Sequence, residues 1–249
     1  MISNLQFEDK AILMAKSSSA AYQNDCRDFF ENLGFDQYMP INAIGTCGHV
    51  ASNSKEVIIA CRGTVFTDAY DIVSDLDIVP ERHMGGWVHS GFSREARKIL
   101  PDILKWVANN RGKDIYITGH SAGAAMALYI AQELEYKNYL WLNLFTYGSP
   151  RLGDLSYVSQ IKLPHWRFVN CNDVVPHLPP EALMFVHHGI PYYIDFYGNQ
   201  CKSNKQQRIK DHIRGRIHAW KKLQLFDRLA DHAIENYIKK LEYIKEFTV

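Results

Sequence analysis

Long apolar runs, paired cysteine motifs and a surplus of either charge are all missing from this 249-residue sequence. The longest apolar stretch, Ala122 to Ala131, falls well short of the roughly 20 residues a membrane span needs. The five cysteines (Cys26, Cys47, Cys61, Cys171 and Cys201) are scattered and include no CxxC pair. That argues against a metal or redox site, and an odd count argues against a disulfide framework. They read as mostly free thiols, with Cys61 and Cys171 at the ends of strand-like runs. With 28 basic and 27 acidic residues, the net charge of +1 gives no general pull toward nucleic acid. No nucleic-acid motif appears. Near the N-terminus, Glu8, Asp9 and Lys10 precede an apolar run of only Ala11 to Ala15 before Lys16 interrupts it. This is not a signal-peptide pattern. The expectation is a soluble chain that is cytoplasmic or exported without a Sec signal.

What is present is enough apolar material, 47% of residues, for one substantial core. No repeat, low-complexity segment or linker divides residues 1–249, so one domain is expected. Helical spacing covers residues 6–22, Ser90 to Asn109 with Pro101 as a candidate kink or break, Ala122 to Leu134, and about 231–246. Strand-like runs are Glu56 to Cys61, Asp114 to Thr118, Trp141 to Tyr147 and Trp166 to Asn170. Met184 to His188 and Tyr192 to Phe196 suggest two more strands, with Gly189-Ile190-Pro191 as a hairpin-like turn. This alternation indicates an α/β fold: a sheet mainly parallel in its middle, with helices on both faces.

Between the strand at 114–118 and the helix from 122 lies Gly119-His120-Ser121-Ala122-Gly123, a GxSxG motif. A serine in a tight strand-to-helix turn has its Oγ lifted out of the sheet, and flanking glycines relieve the crowding. The next N–H stands at a helix N-terminus, where developing negative charge is favoured. A serine hydroxyl is a weak nucleophile and needs a histidine base oriented by a carboxylate. In α/β-hydrolase-like chains those follow in the order acid, then histidine.

Asp173 stands just past the strand WRFVN, at a sheet edge where α/β sites form, though a turn aspartate explains it equally well. The histidines beyond it are His177, His187, His188, His212, His218 and His232. Periodicity does not choose among them. His232 opens the final helix, whose Ile234, Ile238 and Leu241 would bury one face.

Six separated segments together resemble the class 3 (fungal-lipase-like) lipases. They are Cys61-Arg62-Gly63-Thr64, Val88-His89-Ser90-Gly91-Phe92, Thr118 to Ala124, Phe145 to Asp154, Asp173 to Pro180, and Asp231-His232 with Tyr237 beyond. Their order and spacing fit over about residues 10–245. Cys61 stands where the family usually has phenylalanine, and the stretch from about Gly198 to Lys222 is not family-like.

The resemblance implies an α/β-hydrolase-like fold and a triad of Ser121, Asp173 and His232. It also implies an oxyanion hole from Thr64 and Ala122, and chemistry that needs no metal or organic cofactor. The substrate it implies is a lipid carboxylic ester of the triacylglycerol type. A phospholipase A or short-chain carboxylesterase would share the triad, and a silent lipid-binding protein would share the fold. The resemblance suggests a lid from Val65 to about Pro80, where apolar residues mix with four aspartates; a packed helix or loop on the sheet edge explains the segment equally well. The basic residues at 202–222, with Trp220 among them, could rest on an anionic surface; a solvated basic segment explains them more simply. A lipid or ester substrate and transient contact with a membrane or lipid droplet are the expected partners, and nucleic acid is not.

Overall fold

An eight-stranded sheet with helices on both faces forms the frame of residues 1–63, 79–195, 200–201 and 231–247, which the computed structural model describes. Helices α1 (Phe7–Ala20) and α2 (Arg27–Asn32) lead into strands β1 (Gln37–Ala43), β2 (Thr46–Ser52) and β3 (Glu56–Cys61). A two-stranded ribbon, β4 (Pro80–His83) and β5 (Gly86–His89), precedes α3 (Ser90–Ala108). Then come β6 (Asp114–His120), α4 (Ala122–Tyr136) and β7 (Leu142–Tyr147). After β8 (Gly153–Asp154) and α5 (Leu155–Val158), the chain forms β9 (His165–Asn170). Strands β10 (Phe185–Val186), β11 (Ile190–Ile194) and β12 (Gln200–Cys201) follow, and α6 (Ile234–Phe247) closes the described chain.

The main sheet runs β1-β2-β3-β6-β7-β9-β11-β12. Pairing is parallel from β3 through β11 and antiparallel at both flanks. Its central strands read as unbroken apolar runs because both faces are covered; every residue of β3 is buried. Side chains still alternate between the faces. Val57, Ile59, Ile115 and Ile117 pack with Ile99 and Ile103 of α3 and Ile130 and Leu134 of α4. Ile58, Ala60, Tyr116 and Tyr147 pack on the other side with Met14 and Ala15 of α1 and Leu241 of α6. Each fully buried aliphatic side chain contributes about 1.5–3 kcal/mol.

Several sequence expectations need correction. The runs near 184–188 and 192–196 are not a hairpin. β10 pairs with β8 in a separate four-stranded sheet, whereas β11 lies parallel to β9 in the main one. Gly189, at φ 88°, turns the chain between them, and a Cβ there would stand 2.5 Å from the His165 ring. Pro101 does not split α3, which continues past it to Ala108. Trp141 precedes β7 with φ 61° and is exposed. Pro80, near the expected end of the 65–80 segment, begins β4 opposite His89. His232 lies in a turn ahead of α6 rather than inside it. Cys26, Cys47, Cys61 and Cys171 are free thiols, as expected. Among the described residues, no helix is long and apolar enough to cross a membrane.

Candidate active site

Ser121 joins β6 to α4 with φ 58° and ψ −133°, a left-handed conformation that side chains resist. Close backbone approach makes the turn possible. A Cβ on Gly119 would stand 2.5 Å from the Gly123 carbonyl carbon, and one on Gly123 would stand 2.7 Å from Gly63 N. The Ser121 N–H donates to the Tyr147 carbonyl at 3.0 Å, so β7 also holds the turn.

Ala122 is the first residue of α4, so its N–H is among the first-turn donors that no helical carbonyl can satisfy. The helix dipole favours negative charge at that point. Thr64, the other expected oxyanion residue, lies outside the described residues. So do the expected lid up to residue 78 and the basic segment 202–222. The strand end leading to Thr64 does reach the serine turn: a Cβ on Gly63 would stand 3.3 Å from Ser121 Cβ.

Asp173 follows β9 and is fully buried. A buried carboxylate needs partners, and this one has three. Its Oδ1 accepts the Val175 N–H at 2.9 Å, and its Oδ2 accepts the Tyr237 hydroxyl at 2.6 Å. Both oxygens face His232 Nδ1, at 3.0 and 2.9 Å. A carboxylate there puts the proton on Nδ1 and leaves the lone pair on Nε2. His232 Nε2 is buried without a hydrogen-bond partner, so no bond yet joins it to Ser121 Oγ. Such bonds are often long or absent before substrate arrives.

The His232 turn is stapled to the end of β9. Asn170 Nδ2 donates to the Asp231 carbonyl at 2.8 Å, and the Asn172 N–H donates to Asp231 Oδ2 at 3.3 Å. Lys240 of α6 donates to Asn170 Oδ1 at 2.6 Å. The Tyr237 hydroxyl also accepts the Asn170 N–H at 3.1 Å. Burial, and then the adjacent Asp173, hold the Tyr237 phenol well above its usual range. On the other side Arg151, buried after β7, secures the loop beyond Asp173. It donates to the His177 and Pro179 carbonyls at 2.6 and 2.7 Å.

His232 is therefore the histidine that meets Asp173. His187 Nε2 donates instead to the Pro176 carbonyl at 2.7 Å, and His188 Nδ1 lies 3.0 Å from His165 Nδ1. His177 ends a short 3-10 helix, Val175–His177. His212 and His218 lie outside the described residues.

Sequence reasoning missed three residues around this pair. Gly148, at φ 57°, faces both Asp173 and His232. His120 Nε2 lies 2.6 Å from the His232 carbonyl oxygen, and its Nδ1 lies 2.8 Å from the Tyr22 hydroxyl. His120 is buried, and its ring centroid is 4.6 Å from that of His232. Burial, and then the neighbouring His232, hold the His120 imidazole well below its usual pKa. The Tyr22 phenol is pushed up, first by burial and then by Glu235. Tyr22 and His120 are 98 positions apart, and no local pattern links them.

Residues 58–183, just over half the chain, match the family model of the class 3 lipases. The chain belongs to the class 3 lipase family. The matched span includes Ser121 and Asp173 and ends before His232. This class 3 lipase chain is 33% identical over 156 residues to a lipase of Rhizomucor miehei, across 57% of this chain and 42% of that protein. It is 30% identical over 177 residues to the secreted mono- and diacylglycerol lipase A of Penicillium cyclopium, across 67% and 57%. The chain thus spans about half the length of the curated relatives it matches. Among solved structures it is similar to a triacylglycerol lipase whose catalytic centre is described as a serine protease triad. That match has a TM-score of 0.61 at 26% identity, over 75% of this chain and 79% of that one. The mainly parallel sheet with helices on both faces is the α/β-hydrolase-like architecture expected from the sequence.

Proposed function

We propose that this class 3 lipase chain hydrolyses carboxylic esters of lipids, in the manner of a triacylglycerol lipase, through an acyl-enzyme on Ser121. The observation that carries the proposal is the buried Asp173–His232 pair, with His232 Nε2 left unpartnered. Ser121 supplies the nucleophile. Its Oγ attacks the ester carbonyl carbon while His232 Nε2 takes the hydroxyl proton. Asp173 fixes the imidazole tautomer and stabilises the imidazolium. The carbonyl oxygen becomes an oxyanion, bound by the N–H groups of Ala122 and Thr64, with the Thr64 hydroxyl as a further donor. Losing one such donor typically costs about 10²–10³ in rate. The imidazolium returns its proton to the leaving alcohol, and a water activated by His232 then releases the carboxylic acid.

The lipid character of the substrate is supported by family membership and by the names of the relatives. A lipid surface, touched transiently, is the partner such a substrate implies. The deciding experiment has two arms. A fluorophosphonate probe followed by mass mapping should modify Ser121 and no other serine. Labelling elsewhere, or none alongside retained ester cleavage, would remove the nucleophile assignment. Tri-, di- and monoacylglycerols are then compared with phosphatidylcholine and short-chain esters. A preference for phosphatidylcholine or for short-chain esters would replace the triacylglycerol reading while keeping the chemistry.

A further inference from the structure

The assignment of His232 as base leaves open what holds its main chain in place, and the polar chain from α1 offers an answer. Tyr22 follows α1, His120 ends β6, and His232 lies ahead of α6. Three distant segments therefore meet through two short bonds. The proton positions follow from chemistry alone. A carbonyl oxygen accepts only, so at the 2.6 Å contact His120 Nε2 carries the hydrogen and donates to the His232 carbonyl. A neutral imidazole then has a lone pair on Nδ1, which accepts the Tyr22 hydroxyl at 2.8 Å. The Tyr22 hydroxyl also lies close against the strand end at Gly63, where a Cβ would stand 2.5 Å from its oxygen.

We infer that Tyr22 and His120 are positioning residues for the His232 base, fixing its backbone through the carbonyl while Asp173 fixes its ring. The inference rests on the proposed role of His232. The groups facing His120 are the His232 ring, the Tyr22 hydroxyl and the Tyr237 ring. A charged His120 would oppose the imidazolium that forms on His232 during the reaction. Burial and the His232 neighbour both disfavour that charge.

The test uses the whole chain and four variants: Tyr22→Phe, His120→Phe, the double variant, and His120→Gln. Glutamine reaches about as far as Nε2 and retains an N–H for the His232 carbonyl. His120→Phe should lower kcat about 10–100-fold, the scale expected of a misplaced catalytic group, with little change in KM. It should also broaden the downfield proton signal of His232 Nδ1–H. His120→Gln should recover most of the loss. Tyr22→Phe should have a smaller effect in the same direction, and the double variant should be no slower than His120→Phe alone. Should His120→Phe fail to fold, Tyr22→Phe and His120→Gln carry the test through kcat and the proton signal. Wild-type kcat in Tyr22→Phe and His120→Phe, additive losses, or a His120→Gln no better than His120→Phe would overturn the inference. His232→Ala, run alongside, separates the two claims. If that variant stays active, the base assignment itself fails; if it is dead while the others are unimpaired, only the positioning role fails.

Discussion

Gly148 leaves no room between itself and Asp173: a Cβ on the glycine would stand 2.7 Å from Asp173 Oδ2. The same Cβ would lie 3.0 Å from His232 Nδ1, and the residue holds φ 57°. Gly148→Ala should therefore act twice. It pushes on the acid and base together, and it forces a side chain into a left-handed backbone that costs about 1–3 kcal/mol. Ester turnover should fall by about 10²-fold, as for a displaced reacting group, with a lowered urea midpoint. A folded Gly148→Ala enzyme with wild-type kcat would show that the pair tolerates displacement.

Tyr237 gives a second handle on the acid. Its hydroxyl donates to Asp173 and accepts from the Asn170 N–H, so Tyr237→Phe removes one charge-assisted bond and strands a backbone donor. Such a loss costs about 1.5–3 kcal/mol. Val175 N–H and His232 still hold the carboxylate, so activity should be reduced rather than abolished. Denaturant unfolding and kcat, measured on one preparation, check both parts. A neutral effect on stability would mean that water replaces the hydroxyl without cost.

How much of this was legible in the sequence varies with the range of the interaction involved. The β6–Ser121–α4 unit was plain because an apolar strand, GxSxG and an alanine-rich helix are contiguous. Asp173 could be read as a strand-end aspartate, though not distinguished from a turn residue. No local pattern singles out His232, because its contact with Asp173 spans 59 positions; only the family resemblance does. β1 and β2 carry no sequence signal because their burial, half-exposed on one and nearly complete on the other, produces no clean alternation. Between 184 and 196, Gly189-Ile190-Pro191 has the local chemistry of a hairpin turn without forming one. Pairing with β9 and β8 decides those strands instead.

Acid should unfold the protein through its buried histidines. His120, His165 and His187 are all held well below the usual imidazole pKa, chiefly by burial. In the unfolded chain they titrate near 6.5. Above that pH they are neutral in both states and contribute no slope. As pH falls below it, the unfolded chain binds protons that the folded chain refuses, so stability drops. Each histidine contributes up to about 1.4 kcal/mol per pH unit. Urea midpoints measured from about pH 8 to 5 should be flat and then fall, and His165→Gln should make the fall shallower. A midpoint independent of pH across that range would mean the imidazoles become charged without unfolding.

Ser121 separates stability from turnover. Its φ of 58° with ψ −133° lies where glycine is at ease and other residues pay about 1–3 kcal/mol. Ser121→Gly should remove that strain, offset in part by the roughly 0.5–1 kcal/mol of extra chain entropy that glycine loses on folding. The net expectation is a stabilised protein with no ester turnover. Ser121→Ala removes the same nucleophile and keeps a Cβ in the strained turn, so it should be equally inactive without the gain. Paired denaturation curves for the two variants read the strain net of glycine's extra chain entropy, because both lack the hydroxyl and differ by one methyl group. If alanine stabilises as much as glycine, the hydroxyl's desolvation rather than the backbone is the source, and the turn stores no strain.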